Sequence, residues 1–508
     1  MEELTNLSAM QILKKIDEGS LTSLQVTMHF IGEIERVNPA LNAVVIKLYD
    51  DALKMAQYAD ELFEKGKRTG KLHGLPFTIK ECFDLKGTPT TLGLIRRKND
   101  IPEITDKYVS ALQNQGGIVL GKTNVAQCLA YFESANNLYG VTNNPYSLKH
   151  TCGGSSGGEA AIIASGGSPI GLGTDLGGSI RVPAAFCGIC GIKPTTERAV
   201  DFTRVIENPP KLAFDSAIGI LANHAEDLQL FLGIINEVSQ SRGNIKPLKD
   251  FRDIDIPKLK IGYFLNDGLF EPMLAMNRAV KEAVECLEIS GAQVTEFKVP
   301  DLAEAEEIFF KTLTADGAPV FIKNLLNDKP MPQGATLLKI VKAPHIIRKA
   351  ISLMAGFLGQ KTLKRIISYF GGRGEDFRKE INNKKAAFIE KYETAMNNSP
   401  IGKLDVIISP VCALPAYLHN TADKVGLGGA YALHHNITGF PAGVANVSKV
   451  RREEAVGRIV NSDLSIKTAS RIEASAEGLP LGIQIAARPW DDHLVISVIN
   501  FLHGNYKR

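Results

Sequence analysis

Gly-Gly-Ser occurs three times in one stretch of the chain, ending at Ser155, Ser168 and Ser179. Paired glycines permit positive φ and let a ligand approach the backbone closely. A serine that follows such a pair can expose its Oγ while neighbouring N–H groups converge on one point. That is the arrangement an oxyanion hole requires, with donors fixed where negative charge develops. A flexible Gly-Ser linker is the bland alternative. It is disfavoured because the block is interleaved with AAIIA, Ile170, Leu172 and VPAAFCGICGI, all of which want burial.

A serine nucleophile needs a base. The nucleophile elbow G-x-S-x-G is absent around Ser155 and Ser179, and none of the ten histidines stands beside an obvious strand-end glycine turn. Lysine is the other known base for serine. Lys80 lies near the end of the apolar run in HGLPFTIKECFD, where its side chain can be buried. An ordinary lysine is charged at neutral pH, and keeping it neutral there costs about 4.6 kcal/mol unless burial lowers its pKa. The expected surroundings are therefore hydroxyls and backbone, with the neighbouring Glu81 turned to the opposite face of a strand.

The elements that must position these groups alternate between helix and strand. Residues 1–65 read as three amphipathic helices. From Gly74 onward, LPFTIKECFDLKG and GGIVLGKTN read as strands around the helix YVSALQNQGG. KIGYFL, NRAVKEAVECLEISG and AQVTEFKV form a βαβ-like unit, and LDVIISPVCALP, GLPLGIQIAARP and DDHLVISVINFLHG supply two more strands and a closing helix. No repeat or long linker divides the 508 residues, so a single α/β domain spanning 1–508 is expected, with a catalytic core that includes 74–200. A net charge of +3, from 58 basic and 55 acidic residues, gives no global field for nucleic acid. Seven cysteines, sparse and odd in number, suit a reducing compartment. The absence of a leader pattern or an 18-residue apolar run predicts a cytoplasmic chain, soluble or peripheral on a membrane.

GLPFTIKE around Lys80, GGSSGGEAA around Ser155 and GTDLGGSIRVPAAFCG around Ser179 together resemble the amidase signature family. The likeness extends over nearly the whole chain, to GFPAGVANV and GLPLGIQIAARPW near its end. It implies a large mixed, twisted sheet wrapped by helices and hydrolysis of amides without metal or cofactor. On this resemblance Ser179 is the nucleophile, Ser155 the bridging serine held by a cis peptide bond, and Lys80 the base. The N–H groups of Leu176, Gly177, Gly178 and Ser179 form the oxyanion hole, and Asp175 and Arg181 brace the loop. Glu81, Gly219-Ile-Leu-Ala-Asn and KPTTER depart from common family patterns, none at the three catalytic positions.

Within the family the chain resembles fatty-acid amide hydrolases in particular. Segment 336–370 carries seven Lys or Arg and no Asp or Glu, with apolar residues at 346, 347, 350, 351, 354 and 357, then at 363, 366, 367 and 370. A basic amphipathic pair suits an interfacial cap inserted in the domain. The rival is a core-facing surface helix. The resemblance implies a lipid amide substrate reaching a buried serine, with Leu129 and Phe132 lining the acyl site from a helix NVAQCLAYF; ordinary core packing is the alternative for both. A second copy of the chain is a candidate partner, and no nucleic acid is expected. A soluble amidase for small amides, a glutamine-hydrolysing component of an amidotransferase and a catalytically silent binding protein remain as rival functions. GGIVLGKT matches a P-loop by letter, but its middle reads as a strand rather than a phosphate cradle. CGIC lacks the second pair that zinc requires, and His434-His435 has no carboxylate partner in sequence, so both read as structural.

Overall fold

The computed structural model describes residues 2–200, 213–241, 243–325 and 328–506. Eleven strands form one mixed sheet: β1 (Val44–Lys47), β2 (Pro76–Lys80), β3 (Ile118–Thr123), β4 (Ile170–Asp175), β5 (Cys190–Lys193), β6 (Ala217–Ala222), β7 (Lys260–Tyr263), β8 (Gln293–Glu296), β9 (Val406–Pro410), β10 (Ala442–Lys449) and β11 (Pro480–Ala487). Their spatial order is β1-β3-β2-β4-β6-β5-β10-β11-β9-β7-β8. Strands β2, β3 and β4 run parallel to one another, as do β7, β8 and β9, and antiparallel pairings join the two groups. The βαβ-like unit is therefore present as read, with the helix Leu274–Ile289 between β7 and β8. β2, β3, β4, β6, β9 and β11 are buried along their whole length, as strands covered on both faces must be.

Two differences from the sequence reading have physical causes, and the P-loop-like letters fold as read. The first 65 residues hold the expected helices but also β1, which pairs antiparallel with β3 between two of them. NVAQCLAYF is not a helix: it makes one 3-10 turn, Gln127–Leu129, with Cys128 and Leu129 at φ of 54° and 58°. The Gln127 side chain turns away to Lys329 O at 3.0 Å and accepts the Met331 N–H at 2.8 Å, so tertiary hydrogen bonds replace a helical ladder. The P-loop-like letters form β3, and both polar side chains at its end serve the core. Lys122 Nζ donates to Thr90 Oγ1 at 3.1 Å and to Pro89 O, and Thr123 Oγ1 donates to Glu159 at 2.6 Å.

The cap divides. In the helix Lys361–Ser368 and just after it, Ile366, Ile367 and Phe370 are buried, so here the apolar face is ordinary packing. The helix His345–Phe357 does the opposite: Ile346, Leu353 and Phe357 are 81%, 64% and 92% exposed. Among the described residues, no helix is long and apolar enough to cross a membrane.

A single carboxylate ties the loop after β9 to the segment that precedes Ser155. Buried Glu133 accepts the N–H groups of Asn420, Thr421 and Ala422 at 2.9, 2.9 and 2.7 Å, and the Gln333 side chain at 3.0 Å. Each buried donor left unpaired costs about 1–3 kcal/mol. Glu133→Ala is therefore expected to lower stability in urea unfolding by about 3 kcal/mol or more. The exposed Glu477→Ala should stay within about 0.5 kcal/mol. Equal midpoints for the two variants would remove the clamp from the account.

Candidate active site

Lys80 is the last residue of β2, and Thr174 and Asp175 end the parallel neighbour β4. Ligand sites of α/β sheets form beyond such strand ends. Lys80 is completely buried, and its Nζ lies 2.8 Å from Ser155 Oγ, 2.8 Å from Thr174 Oγ1 and 3.3 Å from Thr174 O. The expected setting of hydroxyls and backbone is present. Glu81 turns away, its carboxylate accepting the N–H groups of Thr91 and Leu92 at 2.5 and 2.9 Å. The Gly154–Ser155 peptide is cis. Ser155 is buried and Ser179 is partly exposed, and their loops are clipped together where the Ser156 N–H donates to Ser179 O at 3.1 Å. A path thus runs from a buried amine through a buried hydroxyl to the loop of an accessible one.

Asp175 and Arg181 form the brace. Their side chains meet at 3.0 Å with no exposure on either side. Arg181 also donates to Ala432 O, Gln484 Oε1 and Asn436 Oδ1, and Asn436 Nδ2 donates to Asp175 Oδ1 at 2.9 Å. Burial opposes charge on Asp175, but the guanidinium and these donors hold its carboxyl well below the usual range. The bracing carboxylate accepts the Ile180 N–H at 3.1 Å and the Gly178 N–H at 2.7 Å. The Gly178 N–H, expected in the oxyanion hole, is therefore committed to Asp175. Among the described residues, the N–H groups of Leu176, Gly177 and Ser179 have no such acceptor, so these three can serve a developing oxyanion. Gly178 has φ of 115°, and a Cβ there would lie 2.8 Å from that of Ala432. Only glycine fits this turn.

Around the loop stands an apolar wall. The Phe132 ring reaches both Gly178 and Gly429, while Phe309 and Leu433 close on Gly177. Leu129 is half-buried and packs on the core from its 3-10 turn. Phe309 and Leu433 escaped sequence reading, because no motif or spacing links them to Ser179; only tertiary packing brings them there. His434 and His435 are buried behind the Arg181 network, and burial together with the Arg181 charge pushes His434 down to about 3. Both stay neutral. The cysteines of CGIC are free and buried, and the described residues contain no cluster able to hold a metal ion.

Glu159, in the motif that carries Ser155, was not singled out from sequence. Its carboxyl is buried, accepting the hydroxyls of Thr78 and Thr123, and a Cβ at Gly171 would overlap it. Thr78 and Lys80 alternate on β2 and share a face. Burial pushes the Glu159 pKa up to about 8, against opposing pulls from the two threonines and the Lys80 charge. Between pH 4.5 and 8 the folded chain therefore keeps a proton that the unfolded chain has lost, so this group makes the fold less stable as pH rises through that window. Glu159→Gln should remove the slope: its thermal midpoint should gain on the parent protein steadily from pH 5 to 8. A constant difference between the two would contradict the assignment.

Comparison with known proteins agrees with this architecture. The amidase family model matches residues 25–496. Fatty-acid amide hydrolase 1 of Sus scrofa is 30% identical over 97% of this chain and 85% of its own length, and fatty acid amide hydrolase 1 of Caenorhabditis elegans is 29% identical over 96% and 86%. A glutamyl-tRNA(Gln) amidotransferase component from Bdellovibrio bacteriovorus is 27% identical over 99% and 97%. Among solved structures, a fatty acid amide hydrolase superposes with a TM-score of 0.83 at 26% identity, covering 98% of this chain and 86% of the other. With a family match over most of its length and a thirty-per-cent relative spanning nearly all of it, this chain belongs to the amidase family and is an amide hydrolase.

Proposed function

We propose that this enzyme cleaves fatty-acid amides, such as N-acylethanolamines and primary fatty amides, through an acyl-enzyme on Ser179. The observation that carries the chemistry is the 2.8 Å contact of the buried Lys80 amine with Ser155 Oγ. Neutral Lys80 accepts the Ser155 proton while Ser155 accepts that of Ser179, whose Oγ attacks the amide carbonyl. The N–H groups of Leu176, Gly177 and Ser179 receive the oxyanion. Running backward, the relay gives a proton to the nitrogen of the leaving amine, the C–N bond breaks, and water then hydrolyses the ester to free acid. Asp175 and Arg181 position the loop without touching substrate.

Two features support a lipid substrate. The wall of Phe132, Phe309 and Leu433 suits an acyl chain beside the reacting carbonyl, with Leu129 as an outlying candidate. The first cap helix exposes Ile346, Leu353, Met354 and Phe357 beside basic residues, which fits weak and reversible contact with a bilayer from which such a substrate is drawn. Two of the relatives described above are fatty-acid amide hydrolases, which supports that reading, while the amidotransferase component belongs to the rival one.

Ser179→Ala should lower kcat by about 10³-fold or more, and Lys80→Ala and Ser155→Ala by about 10²–10⁴-fold, with folding checked by circular dichroism. Near-parent turnover in any one of them would overturn its role. A fluorophosphonate probe should label Ser179 and no other serine; a silent binding protein would stay unlabelled. For substrate class, kcat/KM for oleamide should exceed that for acetamide by about 100-fold or more. Preference for acetamide, or for glutamine, would replace the lipid reading with one of its soluble rivals and leave the serine chemistry intact.

A further inference from the structure

A cleft of about 700 Å³ lies at the start of the first cap helix, away from the nucleophile loop, and its polar lining is almost wholly basic. Lys342 ends the helix Pro332–Lys342, His345 opens the helix His345–Phe357, Arg348 follows one turn later, and Arg373 approaches from the glycine-rich turn before the helix Gly374–Asn397. Among the described residues, Lys342 and Arg373 make no ion pair or side-chain hydrogen bond, and the hydrogen bond of Arg348 goes to a carbonyl, Val341 O at 3.1 Å. The lining has one carboxylate, Asp316, and it is already engaged. Its Oδ1 accepts the Gly374 N–H at 3.0 Å and its Oδ2 meets Arg378 at 2.8 Å. On the adjoining helix, Glu375 pairs with Lys379 at 3.4 Å, and Asp376 is outside the lining.

We propose that this cleft is a binding site for a phosphate-bearing anion, filled by the headgroup of an anionic phospholipid when the cap rests on a bilayer. Three permanent cations facing one cleft repel one another unless an anion joins them. A single carboxylate would leave two uncompensated, whereas a phosphomonoester brings up to two charges and three acceptor oxygens. Arginine forks match those oxygens in pairs, and charge-assisted hydrogen bonds are the strong ones. The neighbouring residues fit the source: Ile346 and Ile347, 81% and 49% exposed, follow His345 directly, so a headgroup in the cleft leaves its acyl chains beside apolar side chains. Basic pockets at membrane level hold phospholipid headgroups in this way. The site deepens the cap's proposed bilayer contact but holds whichever amide Ser179 cleaves.

The test uses the full chain and phosphatidylcholine vesicles carrying either 20 mol% phosphatidic acid or enough oleic acid to match the surface charge. Inorganic phosphate is titrated separately by calorimetry. The parent protein should partition at least about five-fold better onto the phosphatidic acid vesicles. Lys342→Gln/Arg373→Gln should erase that preference, and Arg373→Lys should keep part of it. Lys349→Gln/Lys364→Gln, which removes two cap charges outside the cleft, should weaken both kinds of vesicle binding alike and leave the preference standing. Hydrolysis in detergent micelles should be unchanged in all of these variants, which excludes misfolding. Saturable binding of inorganic phosphate that is lost in Lys342→Gln/Arg373→Gln, without any vesicle preference, would assign the site to a soluble phosphate instead. Equal binding to both vesicles together with no phosphate binding would overturn it, as would a preference for oleate.

Discussion

An amine sealed inside a sheet, with hydroxyls for neighbours, is the constraint around which this molecule is built. Taking an ammonium out of water costs several kcal/mol unless charge or hydrogen bonds compensate. The fold supplies that burial at the end of β2, between parallel neighbours, and aims the nitrogen at Ser155. The same surroundings act on Glu159, which shares the strand face. A carboxylate there would stabilise the charged amine. Because burial raises its pKa to about 8, against the two threonine hydroxyls and the Lys80 charge, the group stays protonated around neutral pH. The two groups thus share one buried environment on the same strand face.

Stiffness of the loop that carries Ser179 comes from a second buried pair, Asp175 with Arg181. Breaking a buried ion pair by removing one partner typically costs about 3–5 kcal/mol, whereas replacing the whole pair by apolar groups is often neutral. Asp175 and Arg181 are therefore better understood as a geometric device than as a source of stability. Arg181 gathers Ala432, Asn436 and Gln484 from distant segments, and Asp175 orients the N–H groups of Gly178 and Ile180. Committing Gly178 to Asp175 fixes the turn, and that turn is what leaves the three other N–H groups available. Donors held in this way need no reorganisation as charge develops.

Much of this was legible in the chain. Lys80, Ser155, Ser179, Asp175 and Arg181 stand in local motifs whose glycines report the backbone shape they need, and the structure brings Lys80 to Ser155 and Asp175 to Arg181. What the chain concealed depends on contacts between remote segments. Nothing local separates the Gly178 N–H from its neighbours until Asp175 folds back on it. Phe309 and Leu433 are unremarkable apolar letters until their helix and turn reach Gly177. NVAQCLAYF has helical letters, but Gln127 finds partners at 329 and 331. Both halves of the cap are basic and amphipathic, and periodicity cannot say which apolar stripe meets a core and which meets solvent.

That last division is decided by a neighbouring helix, Leu302–Thr314. Glu306 on this helix is buried, Arg365 of the second cap helix approaches it at 3.3 Å, and Ile366 and Ile367, which follow Arg365, are buried. Three residues along, Phe309 presses on Gly177 in the loop that carries Ser179. Positions three apart lie on one face of a helix. The residue that Arg365 approaches and the residue that packs on Gly177 are therefore carried by one helix. The first cap helix, joined to the second through Gly359 at φ of 71°, makes no ion pair with Glu306 among the described residues, and its Ile346, Leu353 and Phe357 face outward. One half of the cap thus packs on the helix whose Phe309 stands against Gly177, while the other half keeps Ile346, Leu353 and Phe357 in solvent, so the two halves of one basic segment meet opposite environments.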